Sequence, residues 1–425
     1  MNNDEKKMIV PKLRFPEFRD AGNWDERQLN KLGELVSGLT YSPDDVRDSG
    51  LLVLRSSNVQ NGEITLDDNV YVTPSIKGAN LSKANDILIC VRNGSKALIG
   101  KNALIPEGMP LCTHGAFMTV FRTPSSKFVF QLFQGGAYQR QVDADLGATI
   151  NSINGSQFLK YKFFVPSQGE QQKIADCLSS IDELISAQSQ KVNALKIHKQ
   201  GLMQRLFPTY GETIPRLRFP EFRDAGEWAE TPLNQVAIRC KQKNSLNKLN
   251  RVLTNSAEFG VLDQRDFFDK DIANQSNLDG YYIVKKGDYV YNPRISKTAP
   301  VGPISKNNIG DGVMSPLYTV FRFNNYDNSF YAHYFNSTCW HHYMRQASST
   351  GARHDRMAIA NDDFMALPLP LTSPEEQKKI ADCLSSIDEL ISVHSQKLDT
   401  LKTHKKGLMQ QLFPAKDEAN AEVKA

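Results

Sequence analysis

The chain has 425 residues, 40% of them hydrophobic and 23% charged, with a formal net charge of +4. At about 100 to 200 residues per domain, that length predicts two to four domains with real cores, and the composition excludes a mainly disordered chain. There is no run of 18 apolar residues and no apolar signal core after the polar start Met1-Asn2-Asn3-Asp4-Glu5-Lys6-Lys7, which argues against a membrane span or a secretory leader. The six cysteines (Cys90, Cys112, Cys177, Cys240, Cys339, Cys383) form no CxxC pair. Neither a zinc ribbon nor a disulfide framework is indicated, and a reducing cytoplasm is the expected location. The small positive charge permits nucleic-acid binding without showing it; any basic surface has to be local.

In chain order, a first α/β domain is expected over 10–166. Strands are predicted at 51–55, 86–92, 116–122 and 158–165, rich in Val, Ile, Phe and Leu, with a helix over 128–145. A long helical region follows at 167–208. The linker Pro208-Thr209-Tyr210-Gly211-Glu212-Thr213 leads into a second α/β domain over 209–371. Its strands are predicted at 281–284, 288–291, 317–323 and 364–369, with a helix over 329–346. A second helical region spans 372–414, and the charged tail 415–425 is expected to be disordered.

The order repeats because the chain is a duplication. LRFPEFRDAG at 13–22 recurs at 217–226, and Trp24 recurs as Trp228. KIADCLSSIDELIS at 173–186 recurs at 379–392, and over the 36 positions from Lys173 to Pro208 the two copies share 28 identities. Between these repeats only echoes survive: Thr119-Val120-Phe121-Arg122 with Thr319-Val320-Phe321-Arg322, and Asp86 and Arg92 with Asp288 and Arg294. A near-identical segment used twice suggests two copies of one partner, or self-pairing of the copies. A divergent segment on one scaffold suggests two different ligands. A recent duplication with uneven drift is the plainer alternative, although drift alone spreads differences more evenly.

The repeated helices carry a heptad seam. Its apolar positions are Ile174, Leu178, Ile181, Ile185, Val192, Leu195, Leu202 and Leu206 in the first copy. The second copy gives Ile380, Leu384, Ile387, Ile391, Leu398, Leu401, Leu408 and Leu412. Gln188, Lys199, His394 and Lys405 are the polar seam positions. Ser167-Gln168-Gly169-Glu170 and Ser373-Pro374-Glu375-Glu376 read as capping boxes. At about 1.5 Å per residue each helix spans about 60 Å, longer than one domain. Helix-on-helix pairing is therefore preferred over two stripes packed separately, and an internal pseudo-two-fold would make the pair antiparallel. A register grouping the polar residues would put Gln188 opposite Lys405 and Lys199 opposite His394.

A search for chemistry returns little. There is no Walker A loop, no HExxH, no Cys/His cluster and no Gly-x-Ser-x-Gly elbow, so no catalytic or metal-binding residue is assigned. Tyr291-Asn292-Pro293-Arg294 departs from the Asn-Pro-Pro-Tyr signature of amino-methyltransferases at its third and fourth residues. Arg and amide side chains do gather in predicted loops. They give the candidate DNA-contacting set Arg55, Asn58, Arg92, Lys96 and Asn154 in the first domain, and Arg265, Arg294, Lys297, Arg353 and Arg356 in the second. Arg suits guanine edges, Asn suits adenine edges, and Lys suits phosphates. Ordinary solvated loops have the same composition.

The doubled order of Leu13-Arg14-Phe15-Pro16-Glu17-Phe18 with Trp24, then Glu170-Gln171-Gln172-Lys173-Ile174-Ala175, and their copies from Leu217, Trp228 and Glu376, resembles the specificity subunit of type I restriction-modification systems. The resemblance covers about 10 to 414. It implies two similar α/β target recognition domains, each reading one half of a bipartite, asymmetric DNA target. It implies that the two long helices form an antiparallel coiled coil that sets half-site spacing and docks two methyltransferase subunits. Those subunits use S-adenosylmethionine to methylate adenine at N6. Motor-nuclease subunits using ATP and Mg complete the complex, while this subunit is itself non-catalytic and holds no cofactor. Base contacts do not transfer by motif; the Arg92/Lys96 and Arg294/Lys297 loops stand out because both copies keep them, which a shared structural feature would also explain. The competing readings are a DNA-targeting adapter of another defence or modification complex and a scaffold that binds no nucleic acid.

Overall fold

The computed structural model describes residues 10–146, 151–267, 278–325, 328–348 and 355–414. The 415–425 tail expected to be disordered lies outside them. The chain divides into two compact units. The first joins Met1–Ser189 to Gln396–Ala425, and the second is Gln190–Ser395. The division therefore does not follow the sequence boundaries at 167 and 208. Each unit takes the opening half of one long helix and the closing half of the other.

In the first unit the central sheet is antiparallel, in the order Glu34–Ser37, Met118–Arg122, Ile87–Cys90, Asn102–Leu104. Beside it lies a mixed sheet ordered Cys112–His114, Leu51–Leu54, Val70–Val72, Val46–Arg47, with one parallel pairing, Cys112 opposite Leu52. Asp25–Gln28 pairs with Lys162–Val165, tying the start of the domain to its end. The second unit repeats the central sheet as Ala237–Arg239, Thr319–Phe323, Tyr289–Tyr291, Ile304–Lys306. Its start and end are likewise tied, Ala229–Pro232 against Pro368–Leu371.

The strand predictions that rested on unbroken apolar runs lie close to the observed elements; the helices differ. The single helix expected over 128–145 is two, Ser126–Phe133 and Gly136–Asp145, broken at Gly135, whose backbone is extended. That over 329–346 is Ser329–Phe335 and His341–Ala347. The strands expected over 158–165 and 364–369 start later, at Lys162–Val165 and Pro368–Leu371, because Phe158 and Phe364 belong to the short helices Gly155–Phe158 and Asn361–Met365. Strands such as Glu34–Ser37 and Asn102–Leu104 were not predicted: they are three or four residues long with too little apolar alternation to register.

Two of the echoes between the halves, the Asp86/Asp288 pair and the Arg of Thr-Val-Phe-Arg, are sheet fasteners. Arg122 grips Asp86 through two parallel bonds of 2.9 and 2.7 Å, and Arg322 grips Asp288 the same way. Each carboxylate also accepts a backbone N–H three residues upstream, from Lys83 and Lys285. A bidentate pair of this kind is rigid as well as strong.

The long helices run Gln168–Leu206 and Pro374–Leu412, 39 residues each. None of the sixteen apolar seam positions is exposed. In the first unit Ile174, Ala175 and Leu178 join Leu408 and Leu412 in one core with Trp24, Phe121, Phe128 and Phe133. In the second, Ile380, Ala381 and Leu384 join Leu202 and Leu206 with Trp228, Phe321, Phe330 and Phe335. The opening of one helix thus lies beside the end of the other in each unit, which is an antiparallel arrangement. The seam also runs into the domain cores, so pairing between helices and packing on a domain are not alternatives.

The polar residues set a register different from the one expected. Lys405 Nζ meets both carboxylate oxygens of Asp182, at 2.6 and 2.7 Å, and Lys199 meets both of Asp388, at 2.6 Å each. A mostly buried ammonium is better satisfied by a carboxylate than by an amide or imidazole. Grouping seam residues by polarity alone missed this, because Asp182 and Asp388 sit just outside the heptad seam. A domain helix completes each station. Gln131 donates to Asp182 at 2.8 Å, and His333 places Nε2 3.0 Å from Ser385 Oγ and Nδ1 3.9 Å from Asp388.

Burial first, and then the nearby Lys199 charge, push the His333 imidazole down to about 4. Unfolded, it titrates near the ordinary value of about 6.5. The unfolded chain therefore binds a proton that the folded chain refuses, and stability falls as pH drops from about 6.5 towards 4. One such group contributes at most about 1.4 kcal/mol of loss per pH unit in that window. Thermal unfolding followed from pH 7 to 4.5 should show a shallower decline for His333→Gln, which installs the residue that occupies the matching place in the first unit.

Candidate nucleic-acid interface

The repeated opening motif builds a clamp that positions each domain on its helix. The Glu170 carboxylate, fully buried, accepts two bonds from Arg14, at 2.8 and 2.7 Å, and one from the Trp24 indole N–H at 3.3 Å. Arg14 Nη1 also donates to Gly22 O, closing the LRFPEFRDAG loop, and Gly22 takes φ +70° there. The second copy places Arg218 and the Trp228 indole on Glu376 in the same way, and Thr372 adds its hydroxyl. Lys173 then reaches Glu17 and lies over the Phe15 ring, as Lys379 does with Glu221 and Phe219. The expected reciprocal capping boxes are thus corrected. Ser373 Oγ accepts the Glu376 N–H at 3.2 Å, but both glutamates turn their carboxylates to the Arg and Trp of the clamp. Part of the identity between the repeats, chiefly in the opening motif, serves this internal clamp.

In the first domain, three loops converge past the central sheet. Ile153 N–H donates to Val91 O, Asn93 N–H to Asn151 O, and the Asn151 amide to Gly94 O. The Asn93 amide reaches Ser56 Oγ at 3.2 Å. Arg92 is exposed, with its guanidinium 5.8 Å from the centre of the exposed Phe117 ring. Lys96 and Asn154 are also exposed; Asn154 caps the short helix Gly155–Phe158, accepting the Ser156 N–H at 2.9 Å. Arg92, Lys96 and Asn154 therefore share one side of the fold.

Asn58 does not belong with them. It is completely buried, its amide donating to the carbonyls of Thr65 and Asp68 while its oxygen accepts the Arg55 N–H. It braces the loop and has no face left for a base. Arg55 is half-buried and paired with Asp68 at 2.8 Å, which makes it a second brace.

In the second domain a cleft of about 480 Å³ lies in the corresponding place. Asn255, Gln264, Asn292, Arg294, Ser296 and Arg356 line it with polar groups, beside Leu317 and Tyr318. Arg294, exposed, and Arg356, half-buried and 3.8 Å from Asp355, face each other across an isolated β-bridge, and Asn292 Oδ1 fixes the Arg294 N–H at 3.0 Å. Arg265 lies at the short helix Gln264–Phe267 and Lys297 is exposed in the Arg294 loop. Arg353 lies outside the described residues. Among the described residues no group of His, Cys, Asp and Glu is arranged to hold a metal, and no helix is long and apolar enough to cross a membrane.

Two exposed apolar residues, Phe117 and Leu317, were not among the sequence candidates. Each stands two residues before the shared Thr-Val-Phe-Arg strand, and that offset was the available signal.

Each domain therefore presents the same scaffold with different loop residues. The family described as the type I restriction modification DNA specificity domain matches the chain twice, over 21–196 and 227–403. The chain belongs to that family. The specificity subunit of the StySPI type I restriction enzyme from Salmonella potsdam is 26% identical over 194 residues, 42% of each chain. That of EcoKI from Escherichia coli is 28% identical over 168 residues, 37% of this chain and 36% of the relative. This chain thus spans less than half the length of each of these two relatives. The crystal structure of the type I restriction-modification S subunit from M. genitalium shares the fold, with a TM-score of 0.58 at 15% identity, covering 96% of this chain and all of that one. In this family's terms the two units hold two recognition domains, and the exposed loops beyond their central sheets are the surfaces that differ between them.

Proposed function

We propose that this chain is the sequence-reading subunit of a type I restriction-modification complex, and that each recognition domain reads one half of a bipartite, asymmetric DNA target. The observation that carries this is the pairing of one scaffold with two unlike surfaces. Arg92 bridges Ser152 in one domain where Arg294 bridges Arg356 in the other, and Phe117 stands in one where Leu317 stands in the other. Exposed Arg and Lys supply phosphate contacts and guanine readout, and amides supply adenine readout. The helices act in this reading as a rigid spacer and as the seat for two copies of one methyltransferase subunit. Leu184 and Leu390, the same residue in both copies, are exposed on the outer helix faces and are available to such a partner. Adenine-N6 methylation with S-adenosylmethionine, and restriction with ATP and Mg, belong to the partner subunits.

The test is long-read mapping of adenine methylation in a host carrying this gene and its neighbouring methyltransferase, against the same host lacking this gene. A two-part motif with unlike halves and a fixed gap should vanish with the gene. Exchanging the second domain for that of a relative should change one half of the motif and leave the other. A methylation pattern indifferent to this gene would favour the adapter or the scaffold.

A further inference from the structure

The exposed residues Phe117 and Leu317 sit in turns that match although their sequences do not. In the first domain Met118 N–H donates to Gly115 O at 2.8 Å, closing Gly115-Ala116-Phe117-Met118. In the second, Tyr318 N–H donates to Ser315 O at 3.0 Å, closing Ser315-Pro316-Leu317-Tyr318. Both turns follow a short strand, Cys112–His114 or Gly312–Met314, and lead into the central one. Both display their third residue to solvent to the same extent, 59%. The first turn is also held from behind, since Phe117 O accepts the N–H groups of both Val91 and Arg92. A large apolar side chain on a rigid turn costs solubility, and the same cost is taken twice at one place in the fold.

The surroundings say what covers these side chains. The Arg92 guanidinium lies over the Phe117 ring, 5.8 Å from its centre, and Leu317 shares its cleft with Arg294 and Arg356. An exposed apolar side chain with arginine beside it suits a ligand with an apolar spot inside an anionic surface. In the major groove that spot is the 5-methyl group of thymine, next to guanine edges that take arginine.

We propose that Phe117 and Leu317 are specificity-determining residues, each placed by its turn to contact a thymine methyl group in the half-site its own domain reads. This rests on the proposed function above. The arginine beside each residue reads or anchors the neighbouring base pair, so each domain carries an arginine and apolar pair in place of a purely polar surface.

The experiment uses the complete methyltransferase complex. Methylation is mapped first for the wild type, then for Phe117→Ala and Leu317→Ala. Duplexes of the mapped motif, with uracil replacing thymine in one half at a time, are then titrated. Phe117→Ala is expected to relax one position of one half-site, and Leu317→Ala one position of the other. Removing one contacted methyl group should weaken wild-type binding about fourfold, and the matching alanine variant should not register that removal. The exchanges Phe117→Leu and Leu317→Phe, which keep an apolar side chain, should retain most discrimination. If the wild type gives a bipartite motif but both alanine variants keep it unchanged, this proposal is wrong and the recognition reading stands. Equal loss in both halves, or no response to uracil anywhere, overturns it as well. A wild type with no gene-dependent motif brings down the recognition reading itself.

Discussion

Replacing Glu376 by alanine is expected to destabilise the second unit by about 3–5 kcal/mol. The carboxylate is almost completely buried and holds together three parts of the unit: Arg218 from the opening motif, the Trp228 indole, and the start of the second long helix. Deleting it leaves a guanidinium that is only 8% exposed without its counter-charge, besides an unpaired indole N–H. Glu376→Gln keeps the shape and part of the hydrogen bonding, so it should cost less, but the unpaired charge keeps the loss well above that of a surface change. Denaturant unfolding of the full chain, followed by tryptophan fluorescence, measures this directly. Glu170→Ala should act on the first unit in the same way. Equal stability of wild type and Glu376→Ala would mean that the clamp does not hold the domain to the helix.

Lys405→Glu is expected to destabilise the first unit by about 1–3 kcal/mol, with Asp182→Lys on the same chain recovering most of the loss. The range is lower than for Glu376 because the Asp182 side chain is 36% exposed and water screens the pair. Recovery should stop about 1 kcal/mol short, since Asp182→Lys also forfeits the bond from Gln131. The reciprocal exchange at Lys199 and Asp388 provides the same test in the second unit. Rescue by exchange requires these residues to be opposite one another. Under the register that places Lys405 opposite Gln188, the double variant would be worse than either single one.

The duplication, the order of elements and the apolar seam were legible in the sequence because each is a linear pattern. A repeat needs no partner to be recognised, and a heptad reports the helix and its buried face together. The opening motif was legible as a repeat but not as a clamp. Arg14 and Glu170 are separated by 156 positions, and no local periodicity connects them. For that reason the identity of the copies suggested a shared partner more strongly than the structure warrants, since part of it serves internal bonding.

The loop candidates show the limit more sharply. Arg55 and Asn58 have the composition of a DNA-reading loop, yet Asn58 is buried by the backbone carbonyls it satisfies and Arg55 is held by Asp68. Phe117 and Leu317 have the composition of a core, yet they are displayed on rigid turns. Residue type sets what a side chain can do, and only its neighbours settle whether it is free to do it.

By itself, then, the sequence determined that this protein is one scaffold used twice, with two long helices and two unlike surfaces, because repetition and period are written along the chain. The tertiary structure alone decided the helix register, the division of each helix between two units, and which loop residues face outward. Those depend on pairings between distant residues, such as Lys405 with Asp182 and Arg14 with Glu170, whose free energy exists only once the chain has folded.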